Sequence, residues 1–237
     1  MSILGMFARY PEPGTTKTRL ASTIGDRAAA DLYGCFVEDL VQRVCGLADQ
    51  LWIAITPHTE QSCKWIQSLA DSNSKSEVKL LAQPSGTLGD RIAWFFRQAA
   101  AQGGGPAVLI GTDNPDLPSA RITQALETLS SGSADLVTVP AADGGYVLIG
   151  LSSDPQTLFD GIRWSSPFTL LDTIGAATTA GLRLEVLSGW YDVDHIENLG
   201  TLTALQKQPG LTEAAPCPRT AEYLEGLLPR IAGGCGG

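Results

Sequence analysis

Histidine is nearly missing from this chain: only His58 and His195 occur in 237 residues. A metal centre built on imidazoles, or a Ser-His-Asp nucleophile system, therefore has little to draw on. Cysteine is scattered at 35, 45, 63, 217 and 235, an odd count with no C-x-x-C spacing. That pattern argues against a zinc cluster and a disulfide framework, and it predicts free thiols in a reducing cytoplasm. Basic residues are outnumbered, 16 Lys and Arg against 25 Asp and Glu, for a net charge of −9. So acidic a chain is a poor partner for nucleic acid or an anionic membrane surface. No apolar run approaches the roughly 18 residues of a membrane span. The opening apolar stretch ends at Arg9 and lacks a basic leader, so it predicts a strand and not a signal peptide.

What is present is 43% hydrophobic residues, enough for one large core. Strand-like runs at 2–8, 51–56, 78–83 and 107–111 alternate with helical spacing at 27–44, 60–70, 91–100 and 119–129. Near-continuous apolar strands in β-then-α order predict a mostly parallel sheet covered on both faces. The stretch 135–151 holds two strand-like runs around a Gly-rich turn, with no room for a crossover helix, and predicts a bend or an antiparallel excursion at the sheet edge. Helical stretches near 167–180 and 195–206 flank a strand-like run at 182–187. The domain is expected over 1–207, followed by a loosely held tail, 208–237, with one short helix at 220–228.

The first loop, ARYPEPGTTKTRL at residues 8–20, carries unusual cation density for an acidic chain. In a parallel α/β sheet, ligands gather beyond the carboxyl ends of the strands, where this loop begins. Pro11 and Pro13 stiffen it, and Gly14 lets it turn. Lys17 and Arg19 supply donors suited to nucleotide phosphates. A P-loop is excluded because no glycine precedes Lys17.

Three acidic segments complete the candidate site. GTDNPDLP, 111–118, places Asp113 directly after an apolar strand, as a carboxylate for magnesium otherwise held by water and phosphates. Asp116 is expected to cap the next helix. In DVDHIENL, 192–199, an extended Asp192-Val-Asp194 turns both carboxylates one way, towards one metal. Asp194 as a helix cap boxed with Glu197 is the alternative. In ADGGYVLIG, 142–150, Gly144 and Gly145 let backbone amides approach a ligand, and Asp143 is placed to bind a sugar hydroxyl or a metal-bound water. A tight turn alone would also use this tripeptide. Trp164, Ser165 and Ser166 follow a segment suited to form a flap and are placed to pack over an acceptor.

Taken in order, PEPGTTKTRL, QPSGTLGDR, GTDNPDLP, DGGYVLIGL, FDGIRWSS and DVDHIENL resemble a bacterial family of glycosyltransferase-A-like (GT-A) proteins, from about residue 3 to 205. More distantly the chain is similar to 2-phospholactate guanylyltransferases and molybdenum-cofactor guanylyltransferases. The resemblance implies a Rossmann-like nucleotide-diphospho-sugar transferase sandwich with a mainly parallel seven-stranded sheet. It implies that Lys17 and Arg19 face phosphates, that Asp113, Asp192 and Asp194 bind Mg2+ or Mn2+, and that Gly86, Asp90 and Arg91 lie beside the nucleotide. Arg9, in the same nucleotide set, stands where the family more usually has Lys, and His195 where Thr more often follows DVD.

The expected function is metal-dependent transfer from a nucleotide-containing donor to a small-molecule acceptor. Glycosyl transfer from a nucleotide sugar, with Asp143 as acceptor base, comes first. The alternatives are nucleotidyl transfer to a phosphorylated acceptor and a non-catalytic nucleotide-sugar-binding module.

Overall fold

The computed structural model describes residues 1–71, 77–103, 105–208 and 213–234. Seven strands form one sheet: β1 (Ile3–Arg9), β2 (Gln50–Thr56), β3 (Glu77–Ala82), β4 (Ala107–Ile110), β5 (Leu136–Pro140), β6 (Tyr146–Leu151) and β7 (Leu184–Val186), in spatial order β3-β2-β1-β4-β6-β5-β7. The pairs β1–β2, β1–β4, β2–β3 and β5–β7 are parallel. The β4–β6 and β5–β6 pairs are antiparallel.

The central strand shows why the strands read as continuous apolar runs. On β1, Leu4, Met6 and Ala8 enter one core and Ile3 the opposite one, so neither face meets water. Gly5 is required by packing: the Phe95 ring lies 2.2 Å from where a Cβ would stand. The first core gathers α1 (Thr18–Ile24), α2 (Asp26–Val44), α3 (Glu60–Asp71), α5 (Ser119–Ser130), α7 (Ile196–Gln206) and α8 (Pro218–Gly234). The second is covered by α4 (Leu88–Ala101), the segment 158–162 and α6 (Thr169–Thr179).

Three expectations need correction. The excursion at 135–151 is antiparallel, but it is not at the edge: β6 lies between β4 and β5, buried on both faces. The segment carrying Lys17 and Arg19 is not all loop, because α1 begins at Thr18 and Lys17 is its N-cap residue. The C-terminal stretch is not loosely held. Leu224 and Leu227 of α8 enter the main core, and the Asp39 carboxylate of α2 accepts the backbone N–H groups of Arg219 and Thr220 at 3.0 and 2.8 Å. An acidic side chain there satisfies helix-start donors that α8 itself leaves unpaired.

Cys35, Cys45, Cys63 and Cys217 are free thiols, while Cys235 lies outside the described residues. Among the described residues no helix is long and apolar enough to cross a membrane.

Candidate active site

The carboxyl ends of β1 and β4 open onto the loops 9–17 and 111–118, and the segment 190–194 is laced across them. The Val193 N–H donates to the Asp113 carbonyl at 2.9 Å. The Asn114 side-chain amide donates to the Tyr191 carbonyl (2.5 Å) and to Asp192 Oδ1 (3.0 Å). Asp116 is fully buried and accepts hydrogen bonds from Trp190 Nε1 and the Tyr191 hydroxyl. It is therefore a clamp for this crossing, not the expected helix cap; Pro118 holds the cap position of α5.

The lacing brings Asp113, Asp192 and Asp194 to one mouth. Lys17 Nζ lies 2.5 Å from Asp113 Oδ1, 3.0 Å from Asp194 Oδ1 and 2.8 Å from the Val193 carbonyl. Its side chain is only 4% exposed, so it is a buried cation. Arg19, at 66% exposure, reaches Asp194 Oδ2 at 3.0 Å and otherwise faces solvent. The two partners more than offset burial and hold the Asp194 carboxyl below its usual range. Among the described residues, Asp192 has no ion-pair partner. Burial pushes its carboxyl up to about 6 despite the Asn114 hydrogen bond, with Asp113, Asp143 and Asp194 adding repulsion.

Two clefts meet here. The first, about 490 Å3, runs past Arg9, Thr15–Arg19, Gln83 and Arg91 over a floor of Tyr33 and Thr112. Those two hydroxyls are hydrogen-bonded at 2.6 Å. Gln83 is held by the carbonyls of Ala8 and Ala54 and accepts from Arg91. The second, about 270 Å3, is lined by Asp143, Gly145, Tyr146, Trp164, Ser165 and Asp192 among others. Arg19, Leu88, Asp113 and Asp194 line both.

Of the other sequence-selected residues, Asp90 is turned to a structural task, closing a capping box with Thr87 at the start of α4. Gly86, at φ +118°, and Gly14, at φ +80°, shape turns and do not line the first cleft. Asp143 accepts the Gly145 N–H at 2.9 Å, so the tight turn is real, and the residue still borders the second cleft. Gly144 has φ +90°, and a Cβ there would strike the Pro167 carbonyl at 2.3 Å. Trp164 stands against Tyr146 and Phe159. Neither Asp194 nor Glu197 supplies the α7 cap: Asn198 Oδ1 accepts the N–H groups of Asp194 and His195. Leu88, 44% exposed at the junction of the clefts, and the pair Tyr33–Thr112 carried no sequence signal. The Asn of NPDLP was a usable pointer to the lacing.

Among the described residues, no group of three or more His, Cys, Asp or Glu side chains converges closely enough to hold a metal ion. The expected three-carboxylate centre is therefore not assembled; Lys17 pairs with both Asp113 and Asp194, and Arg19 with Asp194. Asp192, with Asp113 that is shared with Lys17, is the donor chemistry that fits magnesium, which takes one or two carboxylates plus substrate phosphates and water.

No curated protein matches this sequence. A crystal structure from Desulfovibrio desulfuricans G20, described as a "putative nucleotide-diphospho-sugar transferase", is 31% identical over 98% of this chain and 97% of its own, with a TM-score of 0.83. A cytidylyltransferase from Leptospira borgpetersenii serovar Hardjo-bovis shares the fold at 16% identity, over 97% of this chain and 95% of its own, with a TM-score of 0.54. The 4-diphosphocytidyl-2C-methyl-D-erythritol synthase of Anaerococcus prevotii DSM 20548 does so at 10%, over 87% and 97%, with a TM-score of 0.53. Residues 42–166 match the family described as "Uncharacterized protein conserved in bacteria (DUF2064)". With more than half of its length inside that match and the Rossmann-like transferase fold around it, the chain belongs to the DUF2064 family.

Proposed function

We propose that this protein transfers a glycosyl group from a nucleotide sugar to a small hydroxyl-bearing acceptor. The carrying observation is the pair of clefts that share Arg19, Leu88, Asp113 and Asp194. Two substrates can meet across a common wall only where two sites adjoin. The first cleft, with Arg9, Arg19 and Arg91, suits the donor's nucleotide and diphosphate. The second is carboxylate-rich, with Tyr146, Trp164, Ser165, Ser166 and Thr169 and a single cation, Arg19. That composition favours a neutral, hydroxyl-rich group over a phosphorylated one.

A magnesium ion held by Asp113 and Asp192 would neutralise charge growing on the diphosphate leaving group. The protein's own residues do the rest. Arg19 stabilises the same charge from the shared wall. Asp143 takes the acceptor hydroxyl proton as the acceptor oxygen bonds to the sugar carbon and the nucleoside diphosphate departs. Trp164 and Leu88 exclude water that would hydrolyse the donor.

Nucleotidyl transfer is the second reading, favoured by Arg19 facing both clefts: a phosphate acceptor placed against it would attack the α-phosphorus of a nucleoside triphosphate and release pyrophosphate. A thermal-shift panel of nucleotide sugars and nucleoside triphosphates, with and without magnesium, tests both. Binding of an occupant at a hundredfold excess over its dissociation constant stabilises by about 2.7 kcal/mol. Product analysis then separates them, since one route releases nucleoside diphosphate and the other pyrophosphate. Stabilisation by neither class would remove the proposal.

A further inference from the structure

We propose that Lys17 is a positioning residue that fixes the carboxylates of Asp113 and Asp194, leaving the donor's phosphates to Arg19. An ammonium has three N–H donors and no more. Three protein oxygens already surround this one within 3.0 Å: Asp113 Oδ1, Val193 O and Asp194 Oδ1. The side chain is almost wholly buried, with its ammonium 5.7 Å from the centre of the Phe36 ring. Any bond to a phosphate would displace one of these three oxygens from it. Arg19 stands in the opposite condition, exposed and with one nitrogen engaged out of a five-donor fork.

The backbone supports the same assignment. Lys17 lies at φ 51°, ψ 46°, in the left-handed region, at the N-cap of α1. A residue with a side chain persists there only where its surroundings over-determine it. Here the contacts that do so lie 176 and 177 residues away in the chain, at Val193 and Asp194. Lys17 thus ties the start of α1 to the 190–194 crossing and balances two carboxylates that would otherwise repel. It also places a fixed positive charge where a divalent ion approaching Asp113 meets it first.

The phosphate half of this inference rests on the proposed nucleotide-dependent function; the carboxylate half does not. The test compares Lys17→Met with Arg19→Ala, using inorganic pyrophosphate without metal in calorimetry, and Mn2+ alone followed by electron paramagnetic resonance. Arg19→Ala is expected to weaken pyrophosphate at least tenfold, and Lys17→Met less than threefold. Lys17→Met is expected to tighten Mn2+ at least fivefold, because the competing ammonium is gone. Pyrophosphate loss in Lys17→Met equal to that in Arg19→Ala overturns the inference, and so does the absence of any gain for Mn2+. Should Lys17→Met fail to fold, the unmodified protein decides through 15N-lysine resonances. Pyrophosphate must leave the Lys17 ammonium signal in place and Mn2+ must broaden it; a pyrophosphate-induced shift overturns the assignment. If the unmodified protein binds no pyrophosphate, the proposed function falls, and the Mn2+ results still judge Lys17.

Discussion

Asp113 and Asp192 share one mouth, yet one faces an ammonium at 2.5 Å and the other faces only an amide and further carboxylates. The difference is measurable. Asp192 keeps its proton to about pH 6 when folded, while the unfolded carboxyl releases it near its ordinary value. The folded state therefore holds the extra proton between roughly pH 4 and 6. The stability it contributes is complete below that window and is lost as pH climbs through it. Asp192→Asn is expected to melt above wild type at pH 8, by an amount equivalent to about 1–3 kcal/mol, with the gap closing at pH 4. Calorimetry showing a gap independent of pH would contradict the cause assigned here. Asp113→Asn keeps size and geometry but removes the charge that holds a hard cation, so turnover should fall at least a hundredfold with the fold retained. A helix-capping role is already excluded, since Pro118 is the cap. Full activity of that variant, once a substrate is in hand, would move the metal elsewhere. Arg19→Ala removes an exposed charge-assisted donor worth about 1.5–3 kcal/mol, or ten- to a hundredfold in nucleotide affinity by titration calorimetry.

At the scale of elements, α4 sets the wall of the second cleft through a missing side chain. An ideal Cβ on Gly89 would lie 2.2 Å from Trp164 Nε1, and the indole, packed on Tyr146 and Phe159, has little room to yield. Gly89→Ala should therefore raise the acceptor KM several-fold while nucleotide affinity, read in the first cleft, stays within about twofold. Overpacking of this kind typically costs about 1–3 kcal/mol. Equal losses on both substrates would mean that the whole site has shifted. Helix α8 depends on its neighbour in the same way: Asp39→Ala strips two donors of their acceptor and should cost about 1 kcal/mol, read by denaturant melts.

These elements also mark what was legible beforehand. Strands such as β1 and β4 were readable because burial on both faces writes an apolar residue at nearly every position. The same composition hid the place of β6, since an antiparallel strand buried on both faces looks like a parallel one. The chemistry-bearing types, Lys17, Arg19 and the strand-end aspartates, were identifiable from loop position. The burial of Lys17 was not, because its partners at 193 and 194 belong to a distant segment, and the anchoring of α8 by Asp39 was hidden for the same reason.

At the scale of the molecule, a net charge of −9 surrounds the cleft proposed for the donor's nucleotide. In ~10 mM salt, where the screening length is about 30 Å, the whole protein repels an approaching nucleotide. Association followed by stopped flow should quicken several-fold on going to ~150 mM salt, with dissociation little changed. Slowing instead would show that the local cluster of Arg9, Arg19 and Arg91 governs approach. The sheet order has a consequence of another kind, for synthesis. On β1, Ile3 pairs with Gln50 on one side and Ala107 on the other, and Lys17 finds its acceptors at 113, 193 and 194. At ribosomal speeds of about 5–20 residues per second, the lysine waits on the order of ten to thirty seconds for the last of them. Through that interval Asp113 is the first partner the lysine can meet, and a product cut short before Val193 leaves the ribosome without the crossing that completes its shell.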